Sequence, residues 1–309
     1  AAAMSVVLRN FLDQGLSNNL FPGAVLAVFD DEILQIEVGG HHTYAAETAM
    51  TRSSVFDVAS LTKSIATAWI ARELVADGLL SWDMPVAAAL PTLRAAQEHD
   101  MRVVHLVTFS TLFDVTLSTL KDASPDEILE SVWQSQLQDT VDARAYPLNA
   151  TSIVLGHVLE TVTNRSLGEL FDTYVYQKYE LETTTFSPQS LSNWQQRVVP
   201  TERDPWRDET VHAQVHDESA WKLQQGGKIV GSAGLFSTVG DLVKLGRVVL
   251  EDESHWRDPK KLYPELFQAD ATVALGWECN QEWMGIDDAR SEVSRIGKTG
   301  YTGCTYPLA

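Results

Sequence analysis

Cysteine is nearly absent from this 309-residue chain: only Cys279 and Cys304 occur. Two cysteines cannot build a disulfide framework and are too few for a structural zinc site of cysteines. Long apolar runs are also missing, and none approaches the ~18 residues of a transmembrane helix, so no membrane insertion is expected. The N-terminus lacks a basic flank followed by an apolar stretch, so no signal peptide is visible. As written this favours a cytoplasmic setting; a leader removed beforehand would make the protein periplasmic or secreted. Basic residues are scarce: Lys and Arg number 23 against 42 Asp and Glu, a formal net charge of −19. A surface so acidic repels phosphate backbones and anionic lipid, which excludes nucleic acid and membrane surfaces as expected partners. Internal repeats and low-complexity segments are lacking as well.

What is present is a globular composition, 44% apolar and 21% charged, enough to bury a real core. A short helix is expected around Val6 to Leu16, where Val7, Leu8, Phe11 and Leu12 share a face. Ala24 to Phe29 is a continuous apolar run, Asp30-Asp31 punctuates it, and Ile33 to Val38 ends in alternation. This reads as a β-hairpin, its first strand buried on both faces. From about residue 57 to 215 the signal is mostly helical. Leu61, Ile65, Ala68 and Trp69 fall at helical spacing, and Gly78 is placed to end that helix. Ser124-Pro125-Asp126-Glu127 is a capping box with proline at the first helical position. Another helix runs through Ile153 to Leu159 and ends near Asn164. Residues 187 to 227 read as loop. Strand signals return at 233–237, at 275–279 and from Gly300 to Tyr306, with a helix over 239–250.

A lone hairpin is not stable by itself, so the N-terminal hairpin is expected to join the C-terminal strands. The fold class is therefore α/β (α+β): an antiparallel sheet flanked by helices and built from both chain ends. Residues 1–56 and 216–309 form the sheet domain, and 57–215 form an inserted, mostly helical domain with a cleft between the two.

Three Ser-x-x-Lys pairs occur: Ser60/Lys63, Ser118/Lys121 and Ser219/Lys222. At this spacing a helix puts the amine within reach of the hydroxyl. Only Ser60 follows an apolar segment, Val55 to Ala59, and opens a long amphipathic helix. Its place at a helix N-terminus favours a developing alkoxide; the bland alternative is an N-cap serine followed by a surface lysine. Lys298-Thr299-Gly300 is the second candidate. Its cation can meet a carboxylate and its glycine allows close approach of a substrate; alone, it is an ordinary strand-entry turn.

Together and in this order, the two motifs resemble those of the serine β-lactamase and penicillin-binding-protein superfamily. The likeness is to its class C β-lactamase-like branch, which includes esterases and D,D-peptidases. It extends over Phe56 to Lys63, Leu79 to Val86, Leu155 to Thr163, Thr184 to Pro188, Val215 to Glu218, Ala233 to Thr238 and Lys298 to Gly303. The family's second motif is Tyr-x-Asn. Here, counting back from Gly156, Asn149 takes the asparagine's place and Pro147 the tyrosine's, with Tyr146 one residue early. Val107 to Leu112 stands where the family has a His-Thr-Ser-Gly-Leu turn. The chain ends at Ala309, where the family continues with a strand and a packing helix, so an uncovered sheet edge and self-association through it are expected.

The resemblance implies a serine acyl-hydrolase. Ser60 would be the nucleophile, Lys63 the group that takes or relays its proton, and Tyr146 a hydroxyl near both. Asn149 would line the cleft, Lys298 and Thr299 would bind a substrate carboxylate, and Gly300 would border it. The backbone N–H groups of Ser60 and Tyr301 would form the oxyanion hole. The substrate would be a small molecule: a β-lactam, an ester or a D-Ala-type peptide, with no cofactor. One alternative is a catalytically impaired relative that binds peptidoglycan-like ligands or a protein partner in the same cleft. A zinc hydrolase using His212 and His216 lacks an evident third ligand. Trp206 and Trp221 are further candidates to line the cleft, and Cys304 reads as a packing residue.

Overall fold

The computed structural model describes residues 2–141, 147–252, 256–267, 273–279, 281, 284 and 296–301. Helix α1 (Ala2–Ser17) precedes a hairpin of β1 (Gly23–Phe29) and β2 (Leu34–Gly40). The strands pair in unbroken antiparallel register from Gly23↔Gly40 to Phe29↔Leu34. The turn is held by Asp30 Oδ1, which accepts the N–H groups of Glu32 at 2.9 Å and Ile33 at 2.7 Å. The expected hairpin is thus present, but β1 is half-buried along most of its length, not buried on both faces.

Helices from early and late in the chain pack on this hairpin. Leu12 of α1 is fully buried and meets β2 at Gly39, where a Cβ would come within 3.0 Å of the leucine. A late helix, Val239–Glu251, lies against β1 so closely that a Cβ on Gly246 would stand 2.4 Å from Phe29. Arg247 on that helix donates to the Asp30 carbonyl at 3.1 Å.

A second ladder, β3 (Phe56–Asp57) with β4 (Phe236–Ser237), pairs Phe56↔Ser237 and Asp57↔Phe236. Past it the chain turns through Ala59, whose φ is +47°. It enters a π-helical turn, Lys63–Ala68, continued by α2 (Trp69–Ala76). Gly78, at φ +74°, follows the helix end as the sequence predicts. The wide turn was not legible; such turns concentrate at functional sites. Thr67 in it donates to the Gly231 carbonyl at 2.7 Å.

The helical region has the predicted signals. Ser124 and Glu127 exchange side-chain-to-backbone bonds of 3.2 Å, opening α3 (Pro125–Gln134). Helix α4 (Asn149–Thr163) ends on Asn164 in the left-handed conformation, φ +53°. One apolar cluster joins these helices through Ile65, Ile70, Leu106, Ile128, Ile153 and Leu170. The 187–227 stretch differs from the loop expectation. Glu218–Gln225 is a helix, α5, capped by Asp217 and burying Ala220 and Leu223. Its polar face outnumbers its apolar one, which hid it.

Among the described residues the late strand signals are shorter than predicted. Glu278–Cys279 pairs with Ile296–Gly297, so Lys298-Thr299-Gly300 directly follows a strand end. Among the described residues the hairpin β1–β2 and this pair are separate two-stranded ladders, so the expected joining of the two is not seen within them. Residues 302–306 and Cys304 lie outside the described residues. Among the described residues, no helix is long and apolar enough to cross a membrane.

Candidate active site

Ser60 stands where the β3 ladder passes into helix. Val58 N–H donates to the Leu235 carbonyl at 3.0 Å, fixing the strand end. Asp57 Oδ1 accepts the Ala59 N–H at 2.8 Å across the left-handed turn. Packing around Asp57 raises its pKa to about 6, against the opposing bonds from the His216 and Ala59 N–H groups.

Lys63 lies one turn on and is only 1% exposed. Its Nζ donates to Ser60 Oγ at 2.7 Å, to Asn149 Oδ1 at 2.7 Å and to the Ser232 carbonyl at 3.0 Å. Burial lowers its pKa to about 7; Asp217 and Glu278 oppose the shift and Lys298 adds to it. A buried amine near neutrality can exchange a proton with an adjacent hydroxyl. The other two Ser-x-x-Lys pairs are engaged elsewhere. Ser219 Oγ donates to Asp217 Oδ2 at 2.8 Å, and Lys121 lies 5.5 Å over the Trp206 ring.

Asn149 is the first residue of α4, so the helical region delivers its amide to Lys63. Its Nδ2 donates to Asp217 Oδ1 at 3.0 Å. A cavity of about 320 Å³ adjoins it, lined by Phe113, Val115, Leu117, Pro147 and Leu148 among others.

The Lys298–Tyr301 segment comes to Ser60 through Gly300. A Cβ there would stand 2.4 Å from Val58 O and 3.1 Å from Ser60 N. The Lys298 side chain is 2% exposed, with Nζ 3.4 Å from Glu278 Oε2 and donating to the neighbouring Thr299 carbonyl at 2.8 Å. Burial lowers the Lys298 pKa, and Glu278 opposes the shift. Tyr301 is 69% exposed.

Ser60, Lys63, Asn149 and Gly300 are therefore brought together. Lys298 is near enough to act on Lys63 electrostatically, and Tyr146 lies outside the described residues. Trp206 and Trp221 meet edge to face at 5.4 Å, and Trp221 borders a separate cavity with Phe186 and Pro188. His212 and His216 turn to different partners, the Val198 carbonyl and Thr201 with Glu202. Asp57 and Asp217 also border this constellation, and no sequence motif marks either as a site residue. Asp217 had one readable signal, its place as a capping residue ahead of a helix.

The family model described as Beta-lactamase matches residues 8–307. A curated relative described as a putative D-alanyl-D-alanine carboxypeptidase, from Salmonella typhimurium, is 25% identical over a 337-residue alignment. That alignment covers 96% of this chain and 76% of the relative. Among solved structures, SurE superposes with a TM-score of 0.67 at 16% identity, covering 98% of this chain and 67% of SurE. A class C β-lactamase from Rhodobacter sphaeroides superposes with a TM-score of 0.59 at 19% identity, covering 76% of this chain and 62% of that one. These likenesses bear out the mixed α/β fold class.

Proposed function

The chain belongs to the β-lactamase family, and on that premise we propose that it is a serine acyl-hydrolase with Ser60 as nucleophile. The observation that carries the reading is the 2.7 Å contact between Lys63 Nζ and Ser60 Oγ, with Lys63 buried and brought to about 7. Neutral Lys63 takes the hydroxyl proton as Oγ attacks a carbonyl carbon. The tetrahedral oxyanion is stabilised by the backbone N–H groups of Ser60 and Tyr301. Collapse expels the leaving group, which takes a proton, and leaves an acyl ester on Ser60. Water then hydrolyses the ester and Ser60 recovers its proton. Tyr146 is the proposed donor to the leaving group, and the Lys63 ammonium reprotonates it, which restores the neutral amine for the next turnover.

Asn149 presents its amide to the substrate beside Lys63, and Lys298 with Thr299 receives a substrate carboxylate. The substrate classes are β-lactams, esters and D-Ala-type peptides. The name carried by the curated relatives favours a C-terminal D-alanyl peptide, and their alignment takes in 96% of this chain. The inserted helical domain over 57–215 supplies Asn149, and the flanking segments supply Lys298 to Tyr301.

A second reading, a silent binder using the same cleft, draws on Pro147 standing where the family has its tyrosine. Intact mass after incubation with a fluorescent penicillin and, separately, a fluorophosphonate distinguishes the two. An acyl-hydrolase gains one adduct, mapped by tryptic digestion to Ser60 and lost in Ser60→Ala. A folded chain that gains none from either probe, or that carries it on Ser118 or Ser219, overturns the catalytic reading.

A further inference from the structure

The Asn149 amide is gripped from two sides. Its Oδ1 accepts from Lys63 Nζ at 2.7 Å, and its Nδ2 donates to Asp217 Oδ1 at 3.0 Å. An ammonium only donates and a carboxylate only accepts, so this pair of partners dictates which way the amide faces. One Nδ2 hydrogen goes to Asp217; the second is the one a substrate can use.

Asp217 is itself immobilised. Its Oδ2 accepts the Ala220 N–H at 2.9 Å and the Ser219 hydroxyl at 2.8 Å at the start of α5. The backbone just before it is clamped as well. Arg207 donates to the carbonyls of Val215 at 3.0 Å and His216 at 2.5 Å. The His216 N–H donates to Asp57 Oδ2 at 2.9 Å, which ties this segment to the strand that leads to Ser60.

We propose that Asp217 is a positioning residue for acylation: through Asn149 it sets the orientation of the amide and the charge balance at Lys63. The proposal rests on the Ser60–Lys63 reading above. The charged groups acting on Lys63 are Asp217 and Glu278, which favour the ammonium, and Lys298, which opposes it. Asp217 is faced in turn by Asp57 and by the Arg207 guanidinium. Removing the Asp217 charge takes away one stabiliser of the ammonium. Lys63 then loses its proton at lower pH, and the rising acidic limb of the acylation rate moves the same way.

The test is the second-order rate of Ser60 labelling by fluorophosphonate against pH, in the full chain and in Asp217→Asn. Asparagine caps helices as well as aspartate does, so the fold is retained, as circular dichroism would verify. The substituted side chain has one oxygen in place of two, so it cannot at once accept from Ala220 and from Asn149 as the carboxylate does, and the Asn149 amide loses its guide. The expected result is a limb displaced downward by about 0.5–1 pH unit, with a plateau at least tenfold lower. Asp217→Ser, which also keeps a capping oxygen, should behave alike. Ser219→Ala, which removes a neighbour of the carboxylate but no charge, should leave the limb in place. A limb unmoved in both folded Asp217 variants overturns the proposal, whatever happens to the plateau. A wild-type chain that takes no label at any pH removes the Ser60 reading and this proposal with it.

Discussion

Gly300 lies against the backbone that carries Ser60, with room for a hydrogen and not for a methyl group. A Cβ on it would meet Ser60 N at 3.1 Å and Val58 O at 2.4 Å. Both atoms belong to the turn held by Asp57 and by Leu235, so neither can yield cheaply. Gly300→Ala is expected to cost about 1–3 kcal/mol of local strain, expressed as displacement of the 298–301 segment. Ser60 labelling should fall at least tenfold with a smaller change in melting temperature. Labelling at the wild-type rate would show that the contact is dispensable.

Lys63 should impose a slope on stability. Its native pKa is about 7 against 10.5 in the open chain. Between those values the unfolded state binds more protons than the native one, so stability rises with pH across that window. In Lys63→Met the slope attributable to this group disappears, and so does acylation. Denaturant melts from pH 6 to 10 measure it. Parallel stability curves for the two proteins would contradict the buried, near-neutral amine.

Lys298 and Glu278 form a pair whose members should have opposite effects. Lys298→Ala is expected to weaken carboxylate-bearing substrates by about 1–3 kcal/mol while sparing neutral esters. Glu278→Gln releases the ammonium from its 3.4 Å partner and should tighten the same substrates. The measurement is KM for matched charged and neutral substrates. Equal losses on both substrate types in Lys298→Ala would contradict a carboxylate-binding role.

Glu73 is 3% exposed and accepts from Trp69 Nε1 at 3.3 Å, Tyr179 OH at 2.6 Å, Arg72 Nη1 at 3.3 Å and Lys178 Nζ. Burial pushes its carboxyl up, but the bonds from Lys178 and Tyr179 outweigh it and hold the group below its usual range. Its contribution is therefore present at neutral pH and lost as pH falls through the native value. Glu73→Gln should cost about 1.5–3 kcal/mol at pH 7. The gap to the wild type should close as pH falls below the usual carboxylate range, as melts at successively lower pH would record.

The legible parts of the site are those set by short spacings. Ser60 and Lys63 share one helical turn, and Ser124 with Glu127 spans three residues. Asn149 was placed by its distance to Gly156, which the helix between them preserves. What stayed hidden depends on separations no local pattern encodes. Asp217 reaches Asn149 across 68 residues. Lys298 turns inward to Glu278, 20 residues away. The left-handed Ala59 escaped because alanine carries no turn signal, although Asp57 two residues before it accepts its N–H. The fold class was readable from the hairpin, the helices and the motif order, whereas the short ladders at 278–279 and 296–297 fell below the length at which alternation identifies a strand.

The three partners of Lys63 also fix the direction of traffic. An ammonium has three hydrogens, and here they point to Ser60 Oγ, Asn149 Oδ1 and the Ser232 carbonyl. Two of those oxygens have no hydrogen to give. Once the nitrogen is an amine, its two remaining hydrogens stay with the amide and the carbonyl, and its lone pair is left facing the serine. Within this trio of partners a proton can therefore return only from the Ser60 hydroxyl. The arrangement works as a one-lane junction, in which taking up a proton and baring the Ser60 oxygen are a single event.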